Sequence, residues 1–335
     1  MTADAVVHPQ SGAAFELHYL AEGAAHVIYE VRPHPNTTVI DPMFDGKLLR
    51  FRKDTGFART CEQRVDDFER TIAPLFPARN LVKLERHNVS DQRSLVRSLN
   101  TSLRRRETDK SRPSKRKGVY LTLGSLEKYH VLVTDMRPRT WQDKMIEFKP
   151  KWLVRTASTP ATAKRCRTCA LRCMKEGSGP HEGSRLMTFC PLDLLSTDPE
   201  ALQTVFRALE FPEWDHKEWV TVFTAQVRPL LVQLQEKQRE HNNVGVDDLV
   251  SQPHQDFSLA MALRDCSIFL RLKTDVAMIE DVRIADLDLK SKDGGKLEYW
   301  TEIERRLIDE GWYEATETAA NSRGQKHCKN LDLSS

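Results

Sequence analysis

A mixed α/β (α+β) fold in two lobes is what this sequence predicts, on three observations. The first 138 residues are dominated by short apolar runs of strand length, bounded by turn residues. Residues 139–313 add stripes at helical spacing, such as Val220, Phe223, Val227, Leu230 and Leu234. The length, 335 residues at 39% hydrophobic, is enough for a sizeable core in two lobes. The expected division is an N-terminal lobe over 1–138, a C-terminal lobe over 139–313 and a polar, disordered tail over 314–335.

In chain order, residues 1–14 read as a frayed terminus. Phe15–Leu20 and Val27–Val31 read as strands joined by Glu22-Gly23-Ala24-Ala25-His26. Such a small-residue turn lets backbone N–H groups approach phosphate oxygens, and it is equally an ordinary hairpin. Leu48–Arg52 is a further strand with Arg50 and Phe51 on opposite faces. Asp66–Ile72 reads as a helix, and Leu81–Leu84 as a short strand. Arg104–Lys117 holds eight basic residues in fourteen. It reads as a solvated, flexible loop or as a nuclear-localisation or nucleic-acid patch, without the interleaved aromatics that base stacking needs. Val119–Leu123 and Tyr129–Val133 read as paired strands, broken at Thr134-Asp135-Met136. In the strand Met145–Lys151, Glu147, Lys149 and Lys151 share one face, an anion site or simply the polar side of an edge strand.

Cys166, Cys169 and Cys173 stand at i, i+3, i+7 with no fourth ligand at a familiar spacing. They read as buried helix thiols. Gly177–Gly183 is a polar linker. Helices follow at Pro199–Leu209, from Glu218, at Asp256–Leu263 and at Leu297–Glu310, with His241–Val250 a loop and Lys292–Lys296 a turn. No internal repeat is found.

Charged residues make up 30% of the chain, yet the net charge is only +3, so the placement of charge matters more than its sum. No apolar run of membrane-spanning length is present, and residues 1–12 lack the pattern of a signal peptide. Seven cysteines, an odd number, suit a reducing compartment, the nucleus or cytoplasm. No membrane partner is expected.

The most informative stretch is Arg264–Lys290. Two apolar runs, Ile268–Leu272 and Val282–Ile284, read as buried strands or strand ends, with Asp265 before the first and Asp286 after the second. A strand–turn–strand would bring both carboxylates to one cleft, with Lys290 close by. A base-like Asp, a metal-binding Asp and a Lys are what phosphoryl transfer asks for. Asp is also common in strand-end turns, and these residues alone leave both readings open.

Several stretches together resemble the inositol-pentakisphosphate 2-kinases, in a fungal-looking form: Glu22–Val27, Gly46–Arg50, Glu147-Phe-Lys-Pro-Lys151, Cys166–Lys175, Pro191–Ser196, Asp265-Cys-Ser267 and Asp286-Leu-Asp-Leu-Lys290. The resemblance implies a two-lobed, distantly protein-kinase-like inositol phosphate kinase fold. It implies ATP-dependent phosphorylation of the 2-hydroxyl of inositol 1,3,4,5,6-pentakisphosphate, giving the hexakisphosphate. By position it makes Asp265 the catalytic Asp and Asp286 the Mg²⁺ ligand, with Asp288 a second candidate ligand. Glu22, Gly23, Ala24, Ala25, His26, Arg50, Asp135 and Glu147 fall on the nucleotide side. Arg116, Lys149, Lys151, Lys175, Lys290, Lys296 and Trp300 fall on the inositol-phosphate side, and Lys149 counts also among the catalytic residues. Five phosphates bring on the order of eight or more negative charges, which calls for many cations from distant parts of the chain.

Two departures from the family pattern stand out. The region Val232–Leu263, where plant members carry a Cys/His zinc cluster, has no Cys, so no structural zinc is expected. The family Asn after Pro212 is replaced by Glu213-Trp214-Asp215. The expected cofactors are ATP and Mg²⁺ alone, and the expected state is a monomer. The rival readings are another inositol polyphosphate kinase, or a non-catalytic basic scaffold or nucleic-acid-binding protein built on residues 104–117. Neither a His-Arg-Asp loop nor an Asp-Phe-Gly motif of protein kinases is present.

Overall fold

The computed structural model describes residues 3–8, 14–37, 41–56, 59–88, 92–124, 127–177, 189–212, 216–251, 256–291, 295–314 and 328–334. The expectations for residues 178–183, 213–215, 292–294 and 315–327 lie outside these. The chain divides into two units, one of residues 1–74 and 82–136, the other of residues 75–81 and 137–335. Among the described residues it is a mixed α/β protein with one sheet in each unit.

The first unit is built on an antiparallel sheet of β1 (Ala5–Val7), β2 (Phe15–Glu22), β3 (His26–Pro33), β4 (Lys47–Arg52), β5 (Leu84–His87) and β6 (His130–Thr134), in the order β1-β2-β3-β4-β6-β5. Helix α1 (Cys61–Asp67) starts earlier than the apolar pattern suggests. Thr60 and Gln63 form a reciprocal capping box there, which satisfies two otherwise orphaned N–H groups. Helix α2 (Gln92–Thr108) buries Leu95, Val96, Leu99 and Leu103 against Val27, Tyr29, Leu49, Phe51 and Leu132 of the sheet.

The short strand expected at Leu81–Leu84 lies instead at Leu84–His87, and three further expectations change in this unit. Residues near the N-terminus are not frayed: Asp4 accepts from the Tyr19 amide at 2.6 Å and pairs with Arg106 at 3.0 Å, and β1 joins the sheet. Val119–Leu123 makes only an isolated bridge, Leu121 to Lys53, because the Asn100 side chain takes up both polar groups of Leu121. The basic run is not a free loop. Its first part is the end of α2, and Arg112 is buried between Glu22 and Glu107. Aromatic partners come from elsewhere in the chain, with Tyr120 under Arg104 and Tyr19 under Arg106.

His130 sits opposite His87 across β5 and β6, 4.1 Å from the Phe51 ring, with both ring nitrogens buried and unpartnered. Burial pushes its pKa down to about 3. The folded value is thus below the ordinary value of about 6.5, so the unfolded chain takes up this proton first as pH falls. The resulting stability is complete above pH ~6.5 and is lost progressively toward pH ~3, at up to about 1.4 kcal/mol per pH unit. Replacing His130 with Leu should flatten that slope. Urea midpoints of both proteins between pH 4 and 7 would show it, and parallel curves would remove His130 as the cause.

The second unit carries a sheet of β7 (Asp143–Phe148), β8 (Ser267–Lys273) and β9 (Met278–Ala285), antiparallel in that order. Around it lie α3 (Arg167–Gly177), α4 (Pro199–Ala208), α5 (His216–Gln226), α6 (Arg228–Glu240), α7 (Val246–Ser251), α8 (Asp256–Asp265) and α9 (Lys296–Asp309). The loop expected at 241–250 thus contains the start of a helix. Central β8 is buried at Ile268, Leu270 and Leu272, which explains an apolar run interrupted only by Arg271, itself buried. Only Cys266 separates α8 from β8, so Asp265 stands at a fixed helix-to-strand junction.

Candidate active site

The β7–β8–β9 register brings Glu147, Ser267 and the residue after β9, Asp286, toward one end of the sheet. Glu147 lies opposite Phe269, and Ser267 opposite Ala285, the last residue of β9. Ser267 Oγ is 2.9 Å from Glu147 Oε1 and 3.2 Å from Asp286 Oδ2. Asp286 follows β9 with φ 57°, and Lys151, after Pro150, has the same φ. Both are non-glycine residues in the left-handed region, a conformation that costs on the order of 1–3 kcal/mol and clusters at functional sites.

Asp265 is the electrostatic centre. Lys151 Nζ is 2.9 Å from its Oδ1 and Lys290 Nζ is 3.0 Å from its Oδ2. Lys149 Nζ donates to the Asp265 carbonyl at 2.6 Å and lies 3.3 Å from Asp286 Oδ2. The Lys290 amide donates to the Ser258 carbonyl at 3.2 Å, which ties its loop to α8. Partial burial pushes the Asp265 carboxyl up, but Lys290, Lys151 and Lys149 outweigh it and hold the group at about 2. Two carboxylates and three lysines thus meet, leaving positive charge in excess.

In the first unit, the turn Gly23–Ala25 joins β2 to β3. Lys53, itself buried, donates to the Gly23 carbonyl at 2.8 Å through Nζ and to the Ala25 carbonyl at 2.8 Å through its amide. The Glu22 side chain is spent internally, on Arg112 at 2.8 and 2.9 Å and on Lys53. Burial pushes the Glu22 carboxyl up, and the Arg112 and Lys53 hydrogen bonds more than offset it, leaving its pKa below the usual value. Arg50 lies 2.8 Å from His26 Nδ1. The Asp135 amide donates to the Gly46 carbonyl at 2.8 Å. Arg116 is half-buried, with Nε out of contact with water and without a hydrogen-bond partner.

Among the described residues, the network around Asp265 does not extend to Lys175, Lys296 or Trp300. Lys175 is exposed in the last turn of α3, and Lys296 is exposed at the start of α9. Trp300 packs on Phe257 at 5.1 Å, while neighbouring Tyr299 is exposed. Asp288 is half-buried, two residues beyond Asp286. Ser267, which links Glu147 to Asp286, ends the motif Asp265-Cys-Ser267, and that position in the motif is the sequence signal for its role.

One expectation is overturned. The sequence implies no structural zinc, with Cys166, Cys169 and Cys173 as buried helix thiols. Instead Cys166, Cys169, Cys190 and Cys328 are all buried, with their sulfurs within 4.8 Å of one another. Cys166 and Cys190 are 3.7 Å apart, and the Cys166 amide donates to Cys328 Sγ at 3.2 Å. A tetrahedral zinc with Zn–S of about 2.3 Å needs sulfurs about 3.8 Å apart, so this donor set fits a closed structural site. Only Cys173 packs as a helix thiol, among Ala170, Met174, Leu307 and Trp312. The signal missed was long-range, since Cys190 and Cys328 are remote in sequence. Cys328 also places part of the expected tail: Asn330 donates to Asp193 at 2.8 Å, and the Ser334 carbonyl accepts from the Arg155 amide at 3.0 Å.

The family model for inositol-pentakisphosphate 2-kinase matches residues 19–246 and 211–306. An inositol-pentakisphosphate 2-kinase of Yarrowia lipolytica is 34% identical over 179 residues, 52% of this chain and 55% of that protein. The matched region thus spans about half the length of this curated relative. No helix among the described residues is long and apolar enough to cross a membrane.

Proposed function

We propose that this chain, which belongs to the inositol-pentakisphosphate 2-kinase family, transfers a phosphoryl group from ATP to the 2-hydroxyl of inositol 1,3,4,5,6-pentakisphosphate, in the nucleus or cytoplasm and on a two-lobed, kinase-like fold. The observation that carries this reading is Asp265, ringed by Lys149, Lys151 and Lys290 next to Asp286. A pocket for a polyphosphorylated ring needs cations, and the chemistry needs a carboxylate among them.

In this reading Asp265 accepts the proton of the acceptor hydroxyl. Held at about 2 by three lysines, it is a weak base in the free protein. Substrate phosphates compete for the same lysines, so substrate binding raises its basicity at the moment it is used. Asp286 is an exposed carboxylate, and a hard oxygen donor suits Mg²⁺, with Asp288 as a second donor. Mg²⁺ bound with ATP would neutralise charge on the transferred group. Glu147, Arg50, Asp135 and the Glu22–His26 turn serve the nucleotide, the turn through its backbone. Arg116, Lys149, Lys151, Lys175, Lys290, Lys296 and Trp300 serve the inositol phosphate. For Arg116, the unpartnered Nε supports that role.

Product analysis after incubation with Mg-ATP and inositol pentakisphosphate is the direct test, and absence of a hexakisphosphate product would sink the reading. The affinity for the inositol phosphate should also fall steeply with salt, because the attraction is predominantly Coulombic. Lys149→Ala and Lys175→Ala should each weaken it and leave ATP binding largely intact. Calorimetry at two ionic strengths decides, and a salt-independent affinity would point to another class of ligand.

A further inference from the structure

We infer that Gln238, on α6, is the positioning residue that sets the separation of Lys151 and Asp265. This rests on the reading of those two residues given above.

Gln238 is fully buried. Its amide nitrogen donates to the Lys151 carbonyl at 2.8 Å and to the Leu263 carbonyl at 3.0 Å. Its amide oxygen accepts from the Leu153 amide at 2.8 Å. One planar group therefore uses both its donors and its acceptor on two backbone segments. One begins at Lys151, and the other ends two residues before Asp265. A residue needed only to fill space there would be apolar, since a buried amide is favourable only with its partners in place.

A second tie runs through the same residue. The Gln238 carbonyl accepts from Arg264 at 3.0 Å, and Arg264 immediately precedes Asp265. The Arg264 guanidinium also bonds the carbonyls of Ala260 and His241 and the Asn242 side chain, and it lies 4.7 Å from the ring of Trp152, which follows Lys151. The left-handed backbone of Lys151 explains why such a clamp is needed. A strained residue persists only where its surroundings over-determine it, and the carbonyl of Lys151 is what Gln238 holds. By contrast, Asp286 and Glu147 are linked through Ser267 at the sheet end, and neither is bonded to Gln238.

The test is Gln238→Leu, close in volume but unable to make these bonds, assayed beside the unaltered protein. With Mg-ATP and inositol pentakisphosphate, kcat should fall about tenfold or more, and KM for the inositol phosphate should rise severalfold, as misplacement by a fraction of an ångström requires. KM for Mg-ATP should stay within about twofold. A purely structural role would lower kcat with both KM values unchanged, and that outcome, or no change at all, overturns the proposal. A second readout needs no activity. Reductive methylation followed by mass spectrometry should show Lys151 severalfold more reactive in the variant, with Lys273, paired to Asp143 on β7, unchanged. If the unaltered protein makes no hexakisphosphate, the functional reading fails, and equal Lys151 reactivity in both proteins would separately defeat the positioning role. Should the Leu variant fail to fold, Gln238→Asn, shorter by one methylene, takes its place under the same criteria.

Discussion

Asp265→Asn is expected to lower turnover by ~10² or more while the affinity for inositol pentakisphosphate stays equal or tightens. Asn keeps the shape and removes the proton acceptor. It also releases Lys149, Lys151 and Lys290 from the carboxylate they now face, leaving three cations for the substrate's phosphates. Asp286→Asn should behave differently. Losing a metal ligand should weaken Mg-ATP binding as well as turnover, with a smaller effect on the inositol phosphate. Turnover and titration of both variants separate the two roles. Near-normal turnover in Asp265→Asn would return Asp265 and Asp286 to ordinary strand-end residues.

The second large effect concerns the four-cysteine cluster. Elemental analysis of the purified protein should find about one zinc per chain, and stripping it should cost several kcal/mol, on the order of 10 °C in Tm. Cys190→Ser should lose the metal, since Cys190 is one of the four clustered thiols. Cys173→Ser should keep it, because Cys173 belongs to a different packed cluster. Metal-free protein with full stability would show the four thiols to be simply packed together. The pair of serine variants distinguishes loss of a ligand from loss of a buried thiol in general.

Family membership and most strands were legible in the sequence because their signals are local. Glu147-Phe-Lys-Pro-Lys151 and Asp286-Leu-Asp-Leu-Lys290 each hold several charged residues within five positions, and β8 announces itself by the apolar run Ile268–Leu272, interrupted only at Arg271. What escaped depends on partners far along the chain. The run Arg104–Lys117 looked solvated because its charge density was read without Glu22, which lies 90 positions before Arg112. Asp4 looked frayed because Arg106 lies 102 positions away. The cysteine spacing fitted one face of a helix, and nothing local reveals that Cys166 lies just before α3 and close to Cys190 and Cys328. Gln238 was invisible for the same reason: an amide in an amphipathic helix looks like surface until its backbone partners are known. Position in sequence carries the chemistry of a residue, and tertiary contact decides whether that chemistry is used inward or outward.

The four clustered cysteines are made far apart in time. Cys328 lies 162 positions beyond Cys166. At translation rates of about 5–20 residues per second, a ribosome takes roughly ten to thirty seconds to pass from one to the other. For that interval the nascent chain carries an incomplete set of thiols, able to hold a metal weakly or to be oxidised, but not to close the site. The cluster therefore cannot assemble before Cys328 has been made. Thiol-oxidising stress should harm newly made chains more than those already assembled.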